Sequence, residues 1–184
     1  MKKMVMVLLI FAVVGASAFS FDILSFPPPV DPGNILVNVG VGFSTLARSG
    51  SMVIPPISAA VEYALDVELP ITVGGILSVS HNAWEEPLWS NNETLFALAA
   101  RANWHWGFDV NWLDFYTGLS IGYIYYNINS TWRGTSSIVR NPHASYGTMY
   151  WAGQLGARFY FTDRVGAFLE LGFPLSQVGV TIKF

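Results

Sequence analysis

The sequence predicts an all-β chain: an eight-stranded antiparallel up-and-down transmembrane β-barrel, preceded by a cleaved signal peptide. Three observations predict it. Apolar segments of alternating character recur from residue 34 to residue 184, separated by turn-rich connections. Only 11% of the 184 residues are charged and 52% are hydrophobic, with mean hydropathy +0.42, whereas an ordinary soluble domain carries roughly 25% charged residues. Aromatic residues reach 15%, a composition that suits strands and membrane interfaces.

The first segment, residues 1–18, has its own pattern. Lys2 and Lys3 precede an apolar run from Met4 to Val14, and Ala16-Ser17-Ala18 then supplies the small-residue cleavage pattern of a secretory signal peptide. The run is shorter than the ~20 residues a helix needs to cross a bilayer, and no later stretch reaches that length without polar interruption. Loss of Lys2 and Lys3 takes the nine basic residues to seven against twelve acidic ones, a net charge of −5, which gives no footing for nucleic acid. The absence of cysteine excludes disulfides, thiolate metal sites and N-terminal lipidation on Cys.

Residues 19–33 contain Pro27, Pro28, Pro29 and Pro32, whose missing donors and fixed φ resist both helix and sheet. They are expected to form a Pro-rich periplasmic lead-in, acting as a spacer or carrying a partner-binding motif. The barrel domain then occupies residues 34–184. Its strands are expected near 34–45, 56–65, 71–80, 94–106, 114–127, 148–161, 165–173 and 177–184. An even number of antiparallel strands can close and remove the edges that lipid does not tolerate.

Period-2 alternation sets the phase of each strand. In the last, Val178, Val180, Ile182 and Phe184 share one face and Gln177, Gly179, Thr181 and Lys183 the other. In the seventh, Leu169 and Leu171 oppose Phe168 and Glu170; in the sixth, Leu155 and Phe159 oppose Gln154 and Arg158. Glu62 and Arg101 also fall on the small, polar face of their strands. A water-soluble barrel needs many charges outside, and Glu62, Arg101, Arg158, Glu170 and Lys183 are too few to supply them. They are therefore expected to form a polar network in the lumen, with Val, Leu, Ile and Phe facing lipid. Such a network either plugs the barrel or lines a conducting or binding route.

Aromatic residues gather at both strand ends. Tyr63, Trp104, Trp106, Phe115, Phe159, Phe161 and Phe184 make one set, and Phe43, Phe96, Tyr123, Tyr125, Trp151 and Phe173 the other, as two interfacial girdles require. Connections at 66–70, 107–113 and 162–164 are short and expected to be periplasmic. Those at 46–54, 81–93 and 128–147 are longer and expected outside, while 174–176 breaks the trend as a tight outer hairpin. Trp84, Trp89 and Trp132 fall in the outer loops, where they either recognise a surface partner or pack on the rim.

The run Gly156-Ala-Arg-Phe-Tyr-Phe-Thr-Asp-Arg-Val-Gly-Ala-Phe-Leu-Glu-Leu-Gly-Phe173, closing on Gly179-Val-Thr-Ile-Lys-Phe184, resembles the C-terminal hairpin of small eight-stranded outer-membrane β-barrel proteins, the broad superfamily of OmpW, OmpX and the OmpA barrel. The resemblance is architectural over residues 34–149. It implies an outer-membrane location in a diderm bacterium, periplasmic chaperones and the barrel-assembly machinery as partners, and an assembly signal on Val178, Val180, Ile182 and Phe184. It implies no single shared activity.

Chemistry is sparse. His143-Ala144-Ser145 resembles the His-x-Ser unit of outer-membrane lipid A deacylases, but no Asp or Glu lies between Ser145 and Phe161 to orient the His. His81 begins a loop with Glu85, Glu86 and Glu93, without diagnostic metal-ligand spacing. His105 is expected at the inner rim, facing inward. Asn92-Glu-Thr and Asn129-Ser-Thr match the glycosylation pattern by chance.

The leading expectation is thus a non-enzymatic barrel without cofactor or metal, in contact with outer-membrane lipid and lipopolysaccharide. Its role is structural in the envelope, or narrow passage of small apolar solutes. The alternative is adhesion or surface recognition of a ligand through loops 81–93 and 128–147. A lipid A-modifying acyl hydrolase is the third reading.

Overall fold

A computed structural model of the chain describes residues 28–43, 51–108, 110–134 and 142–184. The expected signal segment and residues 19–27 of the lead-in lie outside the described residues. Eight strands follow in order: β1 Ile35–Gly42, β2 Ser51–Ala64, β3 Ile71–Glu86, β4 Trp89–Trp106, β5 Leu113–Trp132, β6 His143–Tyr160, β7 Val165–Phe173 and β8 Gln177–Lys183. Each pairs antiparallel with its chain neighbours, and β1 pairs with β8 from Leu36↔Lys183 to Gly42↔Gln177, closing the barrel.

The strands are steeply tilted. Following direct partners from Tyr63 through Val73, Ala102, Leu119 and Gly153 to Phe173 leads from the inner end of β2 to the outer end of β7. This stagger is what an eight-stranded sheet needs to close with a lumen that side chains fill. Alternation holds across the lipid-facing part of the strands. Leu98 and Leu119 are 63% and 65% exposed and belong to a belt with Val61, Leu77, Ile121 and Val180, while alternate residues are buried. An apolar exterior around a polar interior is the layout of a barrel that crosses a bilayer with strands. Exposed Tyr63, Phe159, Phe161 and Phe184 ring the inner end, and Phe43, Phe96, Tyr123, Trp151 and Phe173 the outer one.

Strand lengths differ from those expected. The segment 81–93 is no loop: β3 and β4 continue to a turn at Pro87 and Leu88, with Asn82↔Glu93 and Glu86↔Trp89 still in register. The segment 128–147 narrows likewise, because β5 and β6 pair out to Asn129↔His143, and β2 begins at Ser51. Backbone ladders need no apolar side chains. Beyond the membrane both faces of a strand are polar, so the alternation that marks a strand in lipid vanishes while its hydrogen bonds persist. At Pro55 and Pro56 the β2–β3 register shifts, as expected where a ladder loses its donors. The connection 174–176 is a tight turn between β7 and β8.

The lead-in is more than a spacer where it is described. Val30 is buried with Leu36 and Ala64, Gly33 donates its N–H to the Ala64 carbonyl at 2.9 Å, and Lys183 Nζ donates to the Pro29 carbonyl at 2.8 Å. Gly33 has φ +87°, a left-handed conformation that side chains other than glycine's resist. These contacts fold residues 28–33 against the inner mouth of the barrel.

Candidate functional site

The polar residues of the lumen come together because the inward parity of every strand carries at least one. β1 contributes Asn38, β2 Glu62, β3 Thr72, β4 Arg101, Asn103 and His105, β5 Asp114 and Tyr116, β6 Gln154 and Arg158, β7 Glu170, and β8 Gln177. All are at most 4% exposed.

Arg158 is the centre of the inner half. Its Nη2 donates to Glu62 Oε2 at 2.9 Å and Oε1 at 3.0 Å, and its Nη1 to Asp114 Oδ2 at 2.9 Å. The guanidinium also lies 4.2 Å from the centre of the Tyr116 ring. Glu62 is saturated by further donors: Asn38 Nδ2 at 3.0 Å, Asn103 Nδ2 at 2.9 Å and Thr72 Oγ1 at 2.9 Å. His105 bridges the layer, with Nε2 2.9 Å from Thr72 Oγ1 and Nδ1 2.9 Å from Asp114 Oδ1.

A second ion pair sits further out. Arg101 Nη2 donates to Glu170 Oε2 at 2.5 Å, and its Nε lies 3.5 Å from Glu62 Oε1, which couples the two pairs. Tyr116 donates to Glu170 Oε2 and Gln177 Nε2 to Glu170 Oε1, both at 2.8 Å, while Ser58 donates to Gln177 Oε1. Opposite charges at hydrogen-bond distance, each with further partners, are the arrangement in which buried ions persist away from water. Chemically the cluster is a cross-brace. It ties β2, β4, β5, β6 and β7 across the lumen and leaves a cavity of about 30 Å³ on its outer side, room for one or two waters.

Four of the expected network residues meet in this way. Lys183 does not join them: it turns to the Pro29 carbonyl and sits 5.0 Å from the Tyr160 ring. Its place beside Leu36, at the inner end of the β1–β8 ladder, puts it beyond reach of the carboxylates. Asp114 joins the network although the charge inventory left it out, and His105, expected at the inner rim facing inward, is bonded into it as well. The signal was present, since Asp114 shares the parity of inward Tyr116, and His105 that of Arg101 and Asn103.

The three tryptophans are not loop residues. Trp84 lies on β3, Trp89 on β4 and Trp132 on β5; all are half-buried, and Trp89 and Trp132 are direct cross-strand partners with rings 5.1 Å apart, edge to face. They pack the tip of the sheet. Val178, Val180 and Phe184 are exposed on the lipid side of the last strand, with Ile182 half-covered.

His81, on β3, contacts Thr94 Oγ1 at 3.0 Å, and Glu85 is paired with Arg133 at 2.6 Å. Among the described residues no group of His, Asp and Glu converges as a metal site. His143 Nδ1 lies 2.7 Å from Asn129 Oδ1, and no bond joins it to Ser145 among the described residues. Both share the outward parity of Met149 and Trp151, on an exposed sheet face.

No family model and no curated protein sequence matches this chain. Among solved structures it is similar to Ail, the attachment invasion locus protein of Yersinia pestis in complex with the heparin analogue sucrose octasulfate, with TM-score 0.53, 13% identity, and coverage of 84% of this chain and 100% of that one. It also aligns with Neisserial surface protein A at TM-score 0.48 and 13% identity over 82% of this chain and 95% of that one. The N-terminal β-barrel domain of Pseudomonas aeruginosa OprF follows at 0.46 and 15% over 83% and 98%. The likeness to Ail places the fold among small eight-stranded transmembrane barrels.

Proposed function

We propose that this chain is a non-enzymatic protein of the outer membrane of a diderm bacterium, closed to solutes through its inner half, which acts through the rigid sheet it holds outside the membrane. One observation carries the reading. The β3–β4 and β5–β6 ladders continue well past the outer aromatic girdle, while the lumen beneath them is crossed by the Glu62–Arg158–Asp114 and Arg101–Glu170 pairs. A cavity of about 30 Å³ is too small for an apolar solute, which favours a surface role over passage. The lipid-side face of Val178, Val180, Ile182 and Phe184 remains the proposed signal for the assembly machinery, and lipid with lipopolysaccharide the proposed surroundings.

The ligand that Ail carries is polyanionic. The outer sheet here is different among the described residues: Arg133 is paired with Glu85, and Asn92, Asn127, Asn129, Thr94, Thr131 and Ser145 dominate the outward face. An uncharged partner suits that surface better than a sulfated one.

Complementation separates this role from a purely structural one. In a deletion strain, a barrel whose β5–β6 hairpin is shortened to join Asn127 directly to Ser145 through a two-residue turn is expected to insert but not to restore the wild-type phenotype. Full rescue by the shortened barrel would leave only the envelope-structural role. A stable large conductance in planar bilayers would overturn the closed lumen.

A further inference from the structure

The inner half of the lumen is packed around Arg158, where Glu62 and Asp114 are bonded to it and, among the described residues, only single atoms such as Asn38 Oδ1 and Thr181 Oγ1 lack a partner. The outer half carries a continuous run of them on one strand. On β3, Ser78 Oγ, Ser80 Oγ and both amide atoms of Asn82 have no hydrogen-bond partner, although these residues are only 4%, 1% and 0% exposed. They follow one another at every second position and so form an inward column about 14 Å long. Their direct partners on β4 are Ala97, Leu95 and the buried Glu93, with Ile124 and Tyr126 packed beyond, so the two serines stand beside apolar side chains and Asn82 beside a carboxylate. A hydroxyl or amide buried without a partner costs about 1–3 kcal/mol, so such groups in native proteins are ordinarily matched by water.

The foot of this column opens into the 30 Å³ cavity, which is lined by Ser78, Ser120, Gln154, Tyr150 and Leu175 and floored by Arg101 with Glu170. Its mouth follows from strand lengths. β6 runs from His143 but pairs with β7 only from Gly153↔Phe173 inward, and the chain turns into β8 at residues 174–176. The wall is therefore cut away beside Tyr150, and half-buried Tyr150 and Leu175 both pack on the Ala60, Ile76 and Ala99 cluster and line the cavity at that notch.

We infer that the outer half of the lumen is a dead-end hydrated well, entered from the outer surface between Tyr150 and Leu175, which takes water and ions of similar size and ends on the Arg101–Glu170 pair. Ser78, Ser80, Ser120 and Asn82 supply donors and acceptors that single-file water uses. The inner cluster around Arg158 is then the only seal in the described lumen. This rests on the reading of the chain as a membrane barrel, and it adds that a closed barrel is wet halfway through.

The chain lacks cysteine, so single-cysteine variants report one position each. Folded Ser78→Cys, Ser120→Cys, Thr72→Cys and Ser145→Cys proteins in detergent are exposed to silver ion, a thiol-seeking cation near water in size, and the thiol left is counted after unfolding. The well predicts that Ser78→Cys and Ser120→Cys react within about a hundred-fold of exposed Ser145→Cys, and that Thr72→Cys, inside the seal, is at least another hundred-fold slower. Adding Leu175→Ala to Ser78→Cys should speed its reaction about ten-fold and leave Thr72→Cys unchanged. Ser78→Cys and Ser120→Cys as slow as Thr72→Cys would refute the well while leaving the closed barrel intact. Thr72→Cys as fast as the other two would refute the dead end, and no effect of Leu175→Ala would refute the mouth. Conductance in planar bilayers, by contrast, tests the closed-barrel reading by itself.

Discussion

Arg158 on β6 donates to both carboxylate oxygens of Glu62 on β2, across the lumen and 96 residues away in the chain, at 2.9 and 3.0 Å. Neither side chain has any measurable exposure, and the strands that carry them share no backbone ladder. The contact is thus a strut between opposite walls.

Removing one end of that strut leaves a buried charge without its partner. Arg158→Met is expected to destabilise the folded barrel by about 3–5 kcal/mol, measured by reversible urea unfolding in lipid vesicles. Glu62→Gln should act in the same direction. A double-mutant cycle should show coupling of about 0.5–3 kcal/mol; simple additivity would mean that the strut carries no direct interaction.

The lipid face makes the opposite demand. Leu169 on β7 is 42% exposed among apolar neighbours, and Leu169→Arg is expected to cost about 2–4 kcal/mol near the midplane. The same urea titration checks it. Phe168, one residue away, is buried in the lumen and lies outside that depth rule, so a loss near zero at Leu169 would contradict the orientation of the whole barrel.

Closure depends on close backbone approach at Gly179. A Cβ there would collide with the Val39 carbonyl and the Gly40 Cα, whereas one at Gly75 would meet only the Ala99 carbonyl at 3.5 Å. Gly179→Ala is expected to destabilise the β1–β8 seam by about 1–3 kcal/mol and Gly75→Ala by less. The fraction of heat-modifiable folded protein on unboiled gels separates the two; equal behaviour would argue against the seam geometry.

Trp89 and Trp132 are expected to act as a packing pair. Replacing each by Ala, singly and together, should give a coupling energy of about 0.5–1.5 kcal/mol in the unfolding titration. No coupling would return both rings to the status of independent surface groups.

Much of this architecture is legible without coordinates. The number of strands, their order and the face each turns to lipid follow from alternation such as Val178, Val180 and Ile182 against Gln177, Gly179 and Thr181, because the period of a strand is local and lipid punishes any error of phase. The inward parity of Glu62, Arg101, Arg158 and Glu170 follows for the same reason.

What only the tertiary structure decided is which of those groups meet, and how far the strands run. The stagger that brings the inner end of β2 level in register with the outer end of β7 is a property of closing the sheet, absent from any one strand. It gives Arg158 both Glu62 and Asp114, and strands Lys183 on the Pro29 carbonyl. Outside the membrane the ladder from Asn82↔Glu93 to Glu86↔Trp89 is held by backbone hydrogen bonds that any side chain permits. Residues there read as loop because water, unlike lipid, imposes no alternation to betray a strand.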